Sequence, residues 1–398
     1  MENSRANFIS YIKRLDKLSF ISFLLFLLDP FLLGYLFGYV FVFSLVIRNK
    51  IVVEYIDRGF FILLFFSVVY ALFYALDPIG GYTYVINYAL IPPFAYLFGK
   101  YMIKRSVNED QIISLLIFIG FVYSFTALVS VFIEVVNNGF GSIQRSLPMF
   151  WRGNIVSATK MGGYFTLNLC LPGILLAAYK KFKTSKLVPL IALYIISLLC
   201  IVRLGSRTQL AVTVLTTVFT MIYLLWRESL KKNLGILGVF TILVAYLLSK
   251  VNFKSNAEWL SAYASRIENK GDLRSAGGRT DRWLLALENL IEKPLGWKVE
   301  EFGYAHNLWL DSAMVGGVLS FILLLIFTIF SFRTFKKYFK KYSQGIVINI
   351  LFLNYGIAFL LVFFVEPILI GFFHLFCLFC FIVGCAKAYK LESNYSYS

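Results

Sequence analysis

Long apolar stretches separated by short charged turns run along almost the whole chain. Apolar runs of about 17 to 25 residues are candidate bilayer crossings, and the pattern predicts about twelve of them. They fall near 9–28, 31–47, 59–76, 81–99, 111–135, 160–179, 187–202, 208–226, 234–249, 307–331, 345–365 and 368–386. Only Asp29-Pro30 divides the first two, which form either a tight hairpin or one broken element. The expected fold is all-α: a polytopic, single integral-membrane domain over residues 1–398, with one large extracytoplasmic loop, 250–306, that completes an active site. Arg5, Lys13, Arg14 and Lys17 precede an apolar run without a small-residue cleavage site after it, so an uncleaved first span is expected rather than a signal peptide.

Composition agrees with this pattern. Hydrophobic residues make up 59% of the chain and charged residues 15%, against about 25% charged in soluble domains. The net charge of +17 raises the question of nucleic acid, but its placement answers that. Alternate short loops hold Arg48, Lys50 and Arg58; Lys100, Lys104 and Arg105; Lys180, Lys181, Lys183 and Lys186; Arg227, Lys231 and Lys232; and Arg333, Lys336, Lys337, Lys340 and Lys341. The intervening short loops, such as Asp77 to Gly81, are almost free of Lys and Arg. By the positive-inside rule both termini are expected in the cytoplasm. The charge then reads as a topology signal and a match to anionic membrane lipids, and it needs no nucleic acid.

Three outer segments break the rule: residues 136–159 with Arg145 and Arg152, the turn Arg203-Leu-Gly-Ser-Arg207, and the long loop with Arg266, Arg274, Arg279 and Arg282. Cations that oppose the topology call for another reason, and an anionic substrate supplies one. In the loop, apolar residues at 283, 284, 287, 290 and 291 predict a short amphipathic helix from Thr280 to Glu292, stopped by Lys293-Pro294-Leu-Gly296. Two arginines at a helix start oppose its dipole unless an anion, or Asp281 and Asp272, compensates. His306, one of two histidines, ends the loop beside Asn307. A neutral imidazole there is a candidate general base, and equally an interfacial side chain bonded to loop backbone.

The five cysteines lie in or at the ends of apolar runs, which argues against a disulfide framework. His374, Cys377 and Cys380 have metal-like spacing but no clear fourth ligand, so packing is the default reading and no metal is expected. The chain has no GxxxxGK[ST] phosphate loop and no dinucleotide fingerprint.

GGRTDRWLLALENLIEKPLGW followed by YAHNLWLDSAMVGGVLSFILL resembles the signature region of the O-antigen ligase and O-antigen polymerase family, and LGSRTQLAV is similar to that family's Ser-Arg turn. The strong match covers residues 203–211 and 277–320. Two positions depart from the family: Trp297 stands where a second glycine is common, and SATKMGGY stands where Asn-Pro-Asn is common. The resemblance implies a cofactor- and metal-independent glycosyltransferase of the bacterial cytoplasmic (inner) membrane, acting at its outer face. The donor would be an undecaprenyl-pyrophosphate-linked oligosaccharide. The acceptor would be another lipid-linked repeat unit for a polymerase, or lipid A core for a ligase, with a chain-length regulator and a flippase as further partners. Carried over by motif, Arg207 and Arg279 contact the pyrophosphate and His306 deprotonates or orients the attacking hydroxyl. Arg203, Arg152 and Arg282, together with Asn307 and Glu366, are added as substrate-binding candidates from their outer-face positions. Polymerase is the reading preferred here, with ligase as the alternative. A lipid-linked-glycan flippase is the rival of another class, and it would call for an internal repeat and mid-membrane charge. The chain instead gathers its polar groups at one face.

Overall fold

The computed structural model describes residues 2–141, 144–179, 181–225, 279–339 and 345–389. Its helices are α1 (Glu2–Arg14), α2 (Lys17–Leu28), α3 (Gly34–Ile47), α4 (Asn49–Tyr55), α5 (Arg58–Leu76), α6 (Thr83–Arg105), α7 (Glu109–Asn138), α8 (Ala158–Gly163), α9 (Leu171–Ala178), α10 (Thr184–Leu204) and α11 (Arg207–Leu225). They continue as α12 (Arg279–Glu292), α13 (Leu308–Lys336), α14 (Ile346–Val365), α15 (Ile368–Gly371) and α16 (Phe373–Ala388). Among the described residues, six helices are long and apolar enough to cross a membrane: α5, α7, α10, α11, α13 with the short turn after it, and α14. Helices suit that setting because each backbone N–H and C=O is satisfied within its own segment. The protein is thus an all-α, membrane-embedded chain. The expected span at 234–249 lies outside the described residues.

Local chemistry breaks several runs that look continuous in sequence. The run 9–28 divides before α2, where the buried Asp16 carboxylate accepts a hydrogen bond from Ser19 N at 3.1 Å and pairs with Arg48 at 2.7 Å. The run 160–179 divides into α8, a 3-10 turn at Asn168–Cys170 and α9. There Asn168 turns inward to donate to Ser124 at 2.8 Å and Ser197 at 3.1 Å. The last run divides at Phe372, whose ring sits where a Cβ on Gly163 would be.

One small sheet departs from the all-α expectation. Leu147–Pro148 pairs antiparallel with Ile155–Val156, closing a hairpin within the segment 136–159.

α16 is the axis of the bundle. All but one of its residues are buried. Phe381 packs on Phe23 and Phe98, Phe376 on Phe66 and Phe363, and Phe379 on Phe327, Phe359 and Phe363. α6 lies against it backbone to backbone. A Cβ on Gly384 would stand 2.0 Å from Tyr96 O, and one on Gly99 would stand 2.1 Å from Phe381 O. Small residues at such a crossing are what let helices pack closely in a medium that offers little hydrophobic drive. Cys377, Cys380 and Cys385 are buried packing groups of this helix. His374 lies between the rings of Phe26 and Tyr35.

Candidate functional site

Three chain segments, far apart in sequence, meet at one end of the bundle: the start of α11, the helix α12 with its return to α13, and the turn after α14. The return is held by an exchange of hydrogen bonds. α13 loses helical geometry at Gly316 and Gly317. Met314 O and Val318 N, which would pair in a regular helix, bond instead to Trp297 N and Pro294 O, each at 2.9 Å. The crossing requires glycine on both sides. Gly296 and Gly317 have φ of 110° and 61°. A Cβ on Gly317 would lie 2.2 Å from Pro294 O, and one on Gly296 would lie 2.6 Å from Met314 O. The Pro-x-Gly break and the glycine pair of the following span are therefore two halves of one joint.

α12 forms as the apolar spacing predicts, beginning at Arg279. Its inward face is Trp283, Ala286 and Leu290, packed with Trp297, Ala305, Leu310 and Met314. Leu284, Leu287 and Ile291 form a second, exposed stripe. The single apolar face expected from the sequence is thus two faces, one on protein and one outward, as suits a helix lying at a membrane surface.

The segment Tyr304–Asn307 is gripped from several directions. Trp283 Nε1 donates to Ala305 O at 2.9 Å, and Arg282 donates to Tyr304 O at 3.4 Å. Opposite them, the buried Asp311 carboxylate accepts from Ala305 N at 2.8 Å and Asn307 N at 3.1 Å. Between these anchors His306 is held at φ 56°, a left-handed conformation unfavourable for a residue with a Cβ. The half-buried imidazole has its Nδ1 buried without a hydrogen-bond partner. Burial first, then the Arg279 and Arg282 charges, push it down from its ordinary value to about 4. It is therefore neutral at physiological pH and able to accept a proton.

Glu366 joins the segments. Buried at the end of α14, it meets Arg279 at 3.4 Å and accepts from Thr208 Oγ1 at 3.3 Å. Thr208 follows the half-buried Arg207 at the opening of α11. Arg282 makes no ion pair among the described residues, nor does Asp281, so Asp281 does not supply the compensation that the sequence left open. Asp272 lies outside the described residues, as do Arg266 and Arg274.

Asn307 has its side chain engaged by the fold. Its Oδ1 accepts from Trp309 N at 3.2 Å and Leu310 N at 3.3 Å, and its Nδ2 donates to Phe364 O at 3.4 Å. It caps α13 and ties the re-entry to the segment carrying Glu366. Asn307→Ala is expected to cost about 1 kcal/mol, the usual worth of a cap, measured as thermal unfolding of the purified protein, with Asn307→Asp restoring most of it. Full stability with lost turnover would instead assign Asn307 to substrate.

Two other candidates stand apart from His306. Arg152, at the hairpin tip, pairs with Asp29 at 2.8 Å and donates to Tyr164 Oη at 3.2 Å. Arg203 is buried against Glu134 at 3.4 Å and donates to Gln144 O at 3.0 Å. Arg145 caps α10 by donating to Leu204 O at 3.1 Å and Gly205 O at 3.3 Å. These cations tie the segment 136–159 to the bundle. Among the described residues, no group of three or more His, Cys, Asp or Glu side chains is placed to hold a metal.

Sequence reasoning passed over Thr208, Trp283 and Asp311. Asp311 carried a usable signal, since an acid inside an apolar span is costly and marks a structural or functional partner. Thr208 and Trp283 carried none that separates them from ordinary helix residues. No family model matches this chain, and no curated protein is significantly similar to it.

Proposed function

We propose that this protein is a membrane glycosyltransferase that polymerises lipid-linked oligosaccharide repeat units at the outer face of the cytoplasmic membrane. The topology belongs to the same proposal: about twelve spans, with both termini on the side of the Lys- and Arg-rich loops. The observation that carries the reading is the convergence at one end of the bundle. Arg279 meets Glu366 beside the start of α11, while Arg279 and Arg282 stand close enough to His306 to depress it.

Such an arrangement suits transfer from a polyprenyl-pyrophosphate donor. The acceptor hydroxyl oxygen bonds to the anomeric carbon as the bond from that carbon to the phosphate oxygen breaks. The pyrophosphate leaves with the electron pair, and the hydroxyl proton passes to the His306 imidazole. Charge growing on the leaving group is met by guanidinium forks already in place, so little reorganisation is needed during reaction. Arg279, Arg282 and Arg207 are assigned to the pyrophosphate, and Glu366 holds Arg279 in position until the anion arrives.

Bound pyrophosphate also prepares the base. Its negative charge offsets the two arginines that push His306 down, so the imidazole becomes a better proton acceptor when the donor is seated.

The test is complementation of a strain lacking the gene with wild type, Arg279→Ala and His306→Ala at matched membrane abundance, reading the surface polysaccharide on a gel. Lipid A core bearing a single repeat unit in the variants supports the polymerase. Core without any repeat, with lipid-linked polymer accumulating, would make the protein a ligase. A normal ladder from both variants would remove the site.

A further inference from the structure

A second place gathers charge at the opposite end of the bundle. A cleft of about 560 Å³ is lined by Asp57, Arg58 and Gly59 at the start of α5, by Ile326, Ile329, Phe330 and Arg333 near the end of α13, and by Lys387 near the end of α16. Three cations thus come from three helices that are distant in sequence. The one acid of the cleft is already engaged. The Asp57 carboxylate pairs with Lys100 at 2.7 Å, accepts from Tyr96 Oη at 3.0 Å, and accepts from Phe60 N at 3.1 Å as the cap of α5. Its charge is therefore cancelled from behind, and the cleft is left cationic. Lys387 Nζ lies 5.1 Å from the Phe330 ring centre and makes no ion pair among the described residues, and the same holds for Arg58 and Arg333.

The remaining wall is aliphatic and aromatic, from Ile62, Ile326, Ile329 and Phe330. Because α5 begins here and α13 and α16 end here, the cleft has its charged rim at one membrane surface and its apolar wall running inward along the spans. A soluble anion would use only the rim. A phospholipid uses both parts.

We propose that this cleft is a binding site for an anionic glycerophospholipid, its phosphate held by Arg58, Arg333 and Lys387 and an acyl chain lying on Ile62, Ile326 and Ile329. The site is independent of the glycosyl-transfer reading and faces the opposite leaflet. It differs from the general attraction of basic loops to anionic membranes because it requires these three cations and this wall, and other cations at the same end do not substitute for them.

The test uses the full chain purified in detergent, with bound phosphatidylglycerol counted by native mass spectrometry. Phosphatidylcholine and inorganic phosphate serve as comparison probes. With each cation worth about fivefold in binding, the triple variant Arg58→Gln, Arg333→Gln, Lys387→Gln is expected to retain phosphatidylglycerol about a hundredfold less. The control triple Lys13→Gln, Arg14→Gln, Lys17→Gln is expected to bind as wild type. Arg333→Gln alone, at an exposed position, gives the single-cation loss if the triple variant proves unstable. Equal loss in the control triple would reduce the effect to bulk charge and overturn the proposal. Equal retention of phosphatidylcholine, or displacement of the lipid by inorganic phosphate at matched concentration, would also overturn it.

Discussion

Replacing His306 with glutamine is expected to lower turnover about a thousandfold, the usual range for losing a positioned general base, with folded protein undiminished in the membrane. The half-buried side chain makes no hydrogen bond through Nδ1 that the fold would miss. The sign of the pH dependence follows from its surroundings. In the free protein, burial and the Arg279 and Arg282 charges hold the imidazole at about 4. The acid limb of kcat/KM, which reports the free enzyme, should therefore fall near that value. With pyrophosphate seated, the arginine contribution is offset, and the acid limb of kcat should appear at higher pH. Arg282→Gln removes one of the two depressing charges and should move the kcat/KM limb upward. Turnover of the purified protein measured from about pH 3 to about pH 8 decides this. Acid limbs unchanged in both the Arg282 and His306 variants would assign the titration to another group.

Gly317→Val is expected to destabilise the protein by about 4 kcal/mol, combining a branched side chain at positive φ with overpacking. Its Cβ would stand 2.2 Å from Pro294 O, a main-chain atom that cannot rotate away. Either α13 shifts or the turn 294–297 lets go, and the second outcome releases the Trp297–Met314 and Val318–Pro294 bonds together. Gly303→Val is the matched control. It has φ of 78° but open space around the missing Cβ, so it should cost about 1 kcal/mol from backbone strain alone. Thermal unfolding of the two purified variants separates the contributions. Equal, small shifts would mean that the crossing tolerates a side chain and that the joint is looser than its geometry implies.

The two arginine groups show how far sequence could carry the site. Arg279, Arg282 and His306 stand out because they oppose the charge rule or interrupt an apolar chain, and the structure brings them together with Glu366. Arg152 and Arg203 carry the same outward signal in sequence. Their partners, Asp29 and Glu134, lie 123 and 69 residues away. A lone cation that opposes the charge rule reads the same whether it awaits a substrate or holds a distant carboxylate. Helix breaks were illegible for a related reason. The interruptions at Asp16 and Asn168 depend on partners such as Arg48, Ser124 and Ser197, which no local pattern contains. The apolar stripe of α12 was readable in period but not in phase, since 3.6 periodicity does not say which of two adjacent stripes finds protein.

The brevity of α16 has a mechanical consequence. At 16 residues this central helix is about 24 Å long, against about 30 Å of hydrocarbon in an ordinary bilayer. The helix stops at Phe373, and α15 carries the chain across the break at Phe372 to Glu366. Because all but one of the residues of α16 are buried against other helices, that short length is set against protein rather than lipid, and the break at Phe372 fixes how deep Glu366 sits. The height of the Glu366–Arg279 pair is therefore set by the protein core, and a bilayer of another thickness would leave it in place.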